Sequence, residues 1–317
     1  MLLMREWATE QSRNQQLDNP KRTPEPPMKI GLIPVNVGAQ SAESMVQLAV
    51  TAESSGFESI WTFEHAIVPM DYESKYPYSA NGKMGTTPET NFVDPLIALA
   101  TVAAHTKSIR LATGVNILPQ TNPLYLAKQA ASLDFVSGGR FMLGVGIGWL
   151  AEEFSAVGVP FERRGARFDD YIQAMKKIWS GDVVEHQSEF IQWSGFKSYP
   201  VPVQSPLPVI IGGSKGKAFE RIALHGDGWY APTGNVDQLA ELIKQLDEAC
   251  AAAGRDRSTV EISAMWIPGI EGLDAIPRYA DLGVSRLVVP LPAVAGGGGN
   301  PLEAIQKFAE ETLSKIA

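Results

Sequence analysis

From residue 29 onward, short runs of apolar and β-branched residues alternate with segments whose apolar positions recur at helical spacing. The runs fall at 30–35, 59–61, 109–117, 141–146, 208–211, 228–230, 260–266 and 286–289. Helical patterns cover 41–55, 94–105, 122–137, 163–179, 215–225, 236–254 and 273–282, with a last one from Pro301. Apolar strands alternating with helices predict an α/β fold with a parallel sheet covered by helices. Eight such strands over a span near the usual barrel length favour a (β/α)8 TIM barrel over an open doubly wound sheet.

Local signals agree with this rhythm. Asp94-Pro95 and Asn122-Pro123 each put a side-chain acceptor at a helix N-cap and a proline at the first helical position, where no amide hydrogen is missed. Ser137-Gly138-Gly139 supplies a helix stop. Two long breaks interrupt the alternation. Residues 66–91 are rich in Tyr, Pro and Gly, and residues 182–204 read as a β-hairpin carrying Phe190, Trp193, Phe196 and Tyr199. A barrel builds its active site at the strand-to-helix end, so both insertions are expected as lids over a pocket there. Residues 1–27 are polar, proline-bearing and aperiodic, and are expected as a tail outside a single barrel domain spanning 28–317, with Met28 placed to be a natural start.

Composition narrows the function class. With 27 basic and 35 acidic residues the net charge is −8, which disfavours a nucleic-acid binder and suits a small-molecule substrate. No apolar run reaches the ~18 residues of a bilayer span and the N-terminus lacks an apolar signal core, so a cytoplasmic protein without membrane attachment is expected. The single cysteine, Cys250, falls in a helical pattern and is expected as a small buried apolar residue.

The chemistry-bearing motifs are few. Gly144-Val145-Gly146-Ile147-Gly148-Trp149 fails the dinucleotide fingerprint, because its third glycine comes one position early and the unit is not the first strand-helix turn. It remains open as a ligand contact or as plain turn geometry. Ile211-Gly212-Gly213-Ser214-Lys215-Gly216-Lys217-Ala218 is not a Walker loop either. Its glycines, Ser214 and a following helix start nevertheless make the best phosphate site of the chain, the alternative being a simple helix cap with solvated lysines. The histidines, His65, His105, His186 and His225, show no metal-ligand spacing, and no metal site is expected. His65, beside Glu64 just past the second strand, is the candidate acid or hydrogen-bond donor at the mouth, against a structural role. The other three are expected to be structural or solvated. Arg163, Arg164, Arg167, Asp169 and Asp170 read as a solvated helix face or intrahelical ion pairs. No Gly-x-Ser-x-Gly elbow appears, so a barrel with a phosphate site and little proton-transfer machinery points to a borrowed organic cofactor.

Several segments together resemble the luciferase-like monooxygenase superfamily: Leu111-Ala112-Thr113-Gly114-Val115-Asn116-Ile117-Leu118-Pro119-Gln120-Thr121-Asn122-Pro123, Leu126 to Asp134, Ser137-Gly138-Gly139-Arg140-Phe141, Leu143-Gly144-Val145-Gly146 and Gly226-Asp227-Gly228-Trp229. Within it the chain is similar to the branch of probable coenzyme F420-dependent oxidoreductases. The resemblance implies a (β/α)8 barrel, often dimeric, that binds a flavin or deazaflavin at its mouth. It places the ring on a bulge at Thr113, Gly114, Val115 and Asn116, with Gly114-Val115 a cis peptide, the phosphate by Gly212, Gly213 and Ser214, and the ribityl chain near Gly148 and Trp149. His65 and Glu64 correspond to an acid-histidine pair near the ring of deazaflavin members. The sugar-phosphate dehydrogenases of the superfamily carry a glutamate where this chain has Trp149, which counts against sugar dehydrogenation.

The function expected on these grounds is hydride transfer between coenzyme F420 and a small organic substrate, with an F420 or flavin reductase as an indirect partner and a homodimer as the assembly. The alternatives are an FMN-dependent monooxygenase fed by a separate reductase, and a flavin-binding protein without catalysis.

Overall fold

A computed structural model describes residues 27–296 and 299–316. The expected tail, save Pro27, lies outside the described residues. Eight parallel strand positions close into a barrel. In chain order they are β1 (Lys29–Ile33), β2 (Ser59–Thr62), β3 (Arg110–Thr113) continued by the two-residue β4 (Asn116–Ile117), β5 (Phe141–Gly146), β8 (Val209–Gly212), β9 (Gly228–Ala231), β10 (Glu261–Met265) and β11 (Val284–Pro290). Neighbours pair in that order; β11 returns to β1, with Lys29 opposite Arg286, and β3 meets β5 with Leu111 opposite Phe141. The strand pattern at 109–117 is therefore interrupted. Residues Gly114 and Val115 leave the ladder between β3 and β4, and β4 rejoins β5 with Asn116 opposite Val145.

The helices are α1 (Ala42–Ser54), α2 (Pro95–Ala103), α3 (Pro123–Ser137), α4 (Ala151–Ala156), α5 (Arg164–Trp179), α6 (Ala218–His225), α7 (Val236–Ala252), α8 (Ile276–Asp281), α9 (Leu291–Ala295) and α10 (Pro301–Glu311). Their ends follow from local chemistry. The Asp94 carboxylate accepts the Leu96 and Ile97 amides at 3.0 and 2.9 Å, and the Asn122 side chain accepts the Leu124 amide at 3.0 Å. Gly138 ends α3 in the left-handed conformation, φ 70°, which costs glycine nothing. Cys250 is buried on α7.

Ile33, Trp61, Ala112, Met142, Ile210, Tyr230 and Val288, one from each of seven strands, pack together as a cluster distinct from the large core beneath the helices. This fills the barrel, so a ligand has access only at its ends. The starting ends of the strands are held by charge. Arg286, fully buried, donates from Nε and Nη2 to the Glu58 carboxylate at 2.8 Å each and from Nη1 to Ser263 Oγ at 3.1 Å; Nη1 also reaches Glu261, whose other oxygen accepts from Lys29 at 2.9 Å.

The insertions behave differently from one another. Residues 66–91 cover the mouth. Residues 182–204 form the expected hairpin, β6 (Val184–Gln187) with β7 (Gln192–Phe196), which lies on the flank of α5 rather than across the mouth. They follow a helix rather than a strand, so they begin at the opposite end of the barrel from the mouth. The hairpin lies along α5, where His186 Nε2 contacts Asp170 at 2.8 Å, and its exit returns to the barrel bottom, where Gln204 Nε2 donates to Asp134 and to the Phe141 carbonyl at 2.6 Å.

The charge run at 163–170 is not internally paired, and of its members only Arg163 is exposed. Arg167 is buried and donates to the Pro160 carbonyl at 2.9 Å, Asp169 pairs with Arg221 of α6 at 2.7 Å, and Arg163 pairs with Glu189 in the hairpin turn. These charges fasten α5 to its neighbours, a use that a helical-wheel reading cannot foresee.

Candidate active site

The bulge between β3 and β4 is built by glycines and one hydroxyl. A Cβ on Gly144 would stand 1.7 Å from the Thr113 carbonyl oxygen, so only glycine allows β5 to approach there. Thr113 Oγ1 accepts from the Gly144 amide at 2.9 Å and donates to its carbonyl at 2.7 Å. The Thr113 hydroxyl is thus consumed inside the barrel. The Gly114-Val115 peptide is cis, as the resemblance implied. Val115 packs where Cβ atoms on Gly146 and Gly212 would stand, 2.7 and 3.1 Å from its methyl groups. That contact brings Gly212 to the bulge although 96 or more residues separate it from Thr113 to Asn116.

Glu64 supports the bulge from the side. Its carboxylate accepts the Asn116 side-chain N–H at 2.8 Å and, on the other oxygen, the Ile117 amide. In its ionised form Glu64 can only accept, which fixes the Asn116 amide with Nδ2 toward it and leaves Oδ1 as the free acceptor. Asn116 is buried and its Oδ1 has no protein partner. Desolvation pushes the Glu64 carboxyl up to about 7, reinforced by the charges of Glu153 and Asp94 and opposed by its two N–H donors.

His65 turns to a different carboxylate. Its Nδ1 lies 3.1 Å from Glu153 Oε2, and Glu153 also accepts the Ala66 amide at 2.5 Å and the Gln120 side chain at 3.2 Å. Burial opposes ionisation of Glu153, but the hydrogen bonds from His65, Gln120 and Ala66 outweigh it and hold the carboxyl below the usual range. An ionised acceptor on Nδ1 places the ring hydrogen there and leaves Nε2 for proton exchange. The partner of His65 is therefore Glu153, 88 residues away, and not the adjacent Glu64. The neighbouring Glu152 accepts the Glu73 and Ser74 amides at 2.7 and 3.1 Å, so the two carboxylates opening α4 tie down the start of the lid.

Aromatic rings enclose this dyad. Trp149 lies edge-on to His65 (6.0 Å between centroids), Tyr72 (5.8 Å) and Tyr76 (5.2 Å), and Phe92 meets His65 at 5.6 Å. Trp149 thus joins the lid to the histidine. Gly148 has φ 76°, accepts at its carbonyl oxygen from Arg164 Nε at 3.2 Å, and would clash with Ile117 and Phe154 if it carried a Cβ. Its glycine character is explained by packing.

The loop after β8 departs from expectation in one respect. The helix predicted from Lys215 begins at Ala218, and Lys217 at its N-cap makes no side-chain cap bond. Gly213 (φ 107°) and Gly216 (φ 60°) put left-handed turns where a helix cannot continue, so Ser214 stands in the loop and does not cap α6. Space is open around Gly213: a Cβ there would meet only Ala218, at 3.9 Å. The Gly213 carbonyl is pinned by Trp229 Nε1 at 2.8 Å. Among the described residues no group of three or more His, Cys, Asp or Glu is placed to hold a metal, and no helix is long and apolar enough to cross a membrane.

Comparison with known proteins gives the same architecture. The tetrahydromethanopterin reductase of Methanopyrus kandleri, a coenzyme F420-dependent enzyme, superposes with a TM-score of 0.71 over 92% of this chain and 100% of that one, at 16% identity. In sequence, the chain is 26% identical over 295 residues to the F420-dependent hydroxymycolic acid dehydrogenase of Mycobacterium tuberculosis, covering 90% of this chain and 77% of the relative. It is 32% identical over 173 residues to the oxygenase component of the flavin-dependent trigonelline monooxygenase of Acinetobacter baylyi, covering 54% and 42%. The luciferase-like monooxygenase profile matches residues 32–268, the whole stretch holding the bulge, the dyad and the glycine loop, and the chain belongs to that family.

Proposed function

We propose that the protein is a coenzyme F420-dependent oxidoreductase that moves a hydride between the deazaflavin and a small neutral organic substrate. The observation that carries this reading is the His65–Glu153 dyad at the barrel mouth, a proton-handling pair with a fixed tautomer beside the bulge. Hydride removal from a carbinol carbon leaves an O–H proton that must go to a base, and the reverse reaction needs an acid at the same oxygen.

The site suits a planar ring cofactor with a phosphate-bearing tail. The buried, unpartnered Asn116 Oδ1 is an acceptor awaiting a donor, and Gly213 has room above its backbone. Gly114, Val115 and Asn116 would support the ring, with Thr113 acting through the Gly144 bonds that hold the bulge. Gly148 and Trp149 would flank the ribityl chain, and Gly212, Gly213 and Ser214 would hold the phosphate through loop amides rather than through a helix cap. The bound deazaflavin supplies a carbon that accepts or returns a hydride. His65 Nε2 takes or returns the proton at the substrate oxygen, while Glu153 holds the ring. The lid rings Tyr72, Tyr76 and Trp149 exclude water.

Trp149 cannot serve as an acid or base, which counts against the sugar-phosphate chemistry of superfamily members that carry a glutamate there. The exposed Ile97 on α2 and Tyr125, Phe135 and Val136 on the adjacent α3 support a homodimer as part of the same proposal.

The reading is tested by the visible spectrum of protein isolated from a host that makes both cofactors. Deazaflavin absorbance near that of free F420 is expected; a flavin spectrum alone argues for the monooxygenase reading. Gly213→Asp should weaken binding of the phosphate-bearing cofactor at least tenfold, or ~1.4 kcal/mol. Gly213→Ala separates backbone strain at φ 107° from charge, and equal losses in both variants would remove the phosphate from this loop.

A further inference from the structure

Among the described residues, few buried side-chain polar atoms lack a partner, and two of them, Asn116 Oδ1 and the Tyr230 hydroxyl, belong to residues bordering the bulge. Tyr230 sits on β9, 6% exposed, in the cluster that fills the barrel. Its ring is tilted on Trp61 with centroids 5.1 Å apart, and its Cε1 stands 3.4 Å from where a Cβ on Gly114 would be. The residues from other strands in that cluster, Ile33, Ala112, Met142, Ile210 and Val288, are all apolar and offer no acceptor side chain. The nearest titratable side chains facing it are Tyr76 and Tyr78 of the lid.

A hydroxyl buried without a partner costs stability, since it has given up water for nothing. A phenylalanine would fill the same space at no such cost. Burial pushes the phenol above its ordinary value, so it stays protonated and can only be useful as a donor or a neutral acceptor. The donor is therefore held ready beside the surface on which the ring would rest.

We infer that the Tyr230 hydroxyl donates a hydrogen bond to a carbonyl oxygen of the cofactor's ring seated on the Gly114-Val115 bulge. This rests on the cofactor reading above. It adds a binding contact that comes from β9, where Tyr230 stands opposite Gly212 at the start of the glycine loop.

Tyr230→Phe tests it in two ways, neither of which needs the substrate. Cofactor-free variant should melt at a higher temperature than wild type, because the unsatisfied hydroxyl is gone. Titration with F420 and with FMN, followed by fluorescence, should show the ring that wild type binds held about five- to tenfold more weakly. A Kd within about twofold of wild type overturns the assignment while leaving the proposed function standing. A lowered melting temperature of the cofactor-free protein also overturns it, since the hydroxyl then has a partner inside the chain. Wild type that binds neither ring overturns the proposed function, and this assignment falls with it.

Discussion

Replacing His65 with alanine lowers kcat by about 10²- to 10⁴-fold, the usual contribution of a positioned acid or base, while the cofactor Kd changes by less than tenfold. The split follows from geometry. His65 meets Glu153, Trp149 and Phe92 at the mouth, whereas the bulge and the glycine loop are held by Glu64, Thr113, Val115 and Trp229. Removing the imidazole therefore leaves the ring and phosphate supports standing. It also leaves Glu153 with its Ala66 and Gln120 donors, so the lid start stays tied. Glu153→Gln should lose less kcat than His65→Ala, because the oxygen of a neutral amide can still take the Nδ1 hydrogen and hold the ring. Equal kcat for His65→Ala and wild type across the pH range would remove His65 from the reaction.

Arg286→Met destabilises the fold by about 3–5 kcal/mol, the range for removing one partner of a buried ion pair and leaving the others uncompensated. The guanidinium is fully buried and spans Glu58, Glu261 and Ser263, so the variant strands Glu58 at the barrel bottom and leaves Glu261 with Lys29 alone. Adding Glu58→Gln and Glu261→Gln to it should recover part of the loss, because the uncompensated charges are then gone. Denaturant unfolding of the single and triple variants measures both effects; a single variant within 1 kcal/mol of wild type would contradict the account.

The same network sets the acid limit. For Glu58 burial is the largest influence and acts upward, yet the hydrogen bonds and charge of Arg286 overcome it; for Glu261 burial again opposes the charges of Arg286 and Lys29, and loses. Both carboxyls end below their ordinary values. Their stabilisation is therefore fully present above the unfolded carboxylate pKa of about 4.3 and is lost as pH falls through the lower folded values. The melting temperature should drop steeply below about pH 4 in wild type and less steeply in the triple variant.

The barrel was legible because burial on both faces leaves each strand as a dense apolar run, and because Asp94, Asn122 and Gly138 mark helix ends with side chains that can act only locally. The bulge was legible only by resemblance: periodicity reads 109–117 as one strand, and nothing in it shows that Gly144 lacks a Cβ to make room for the Thr113 carbonyl. The His65 partner was not legible at all from spacing. Glu64 is adjacent and Glu153 is 88 residues distant, and the choice between them is made by how two loops meet at the mouth. Two consecutive glutamates in the first turn of the short helix after β5, in the apolar context Trp149-Leu150-Ala151 and Phe154, were the available signal. The hairpin reads as a lid when it is placed near the strand-to-helix end; its position after a helix puts its base at the other end, and it packs on α5 instead. Tyr230 left no signal in sequence, since a tyrosine in a buried strand is ordinary; only the missing partner of its hydroxyl distinguishes it.

The most direct test of the central claim is turnover of the purified protein with each reduced cofactor in an oxygen-electrode cell. With reduced F420 and a panel of neutral ketones and aldehydes, the account predicts that F420 is oxidised at a rate that depends on the carbonyl compound, abolished by His65→Ala, with no oxygen consumed. Oxygen uptake driven by reduced FMN, with no carbonyl-dependent oxidation of reduced F420, would contradict it.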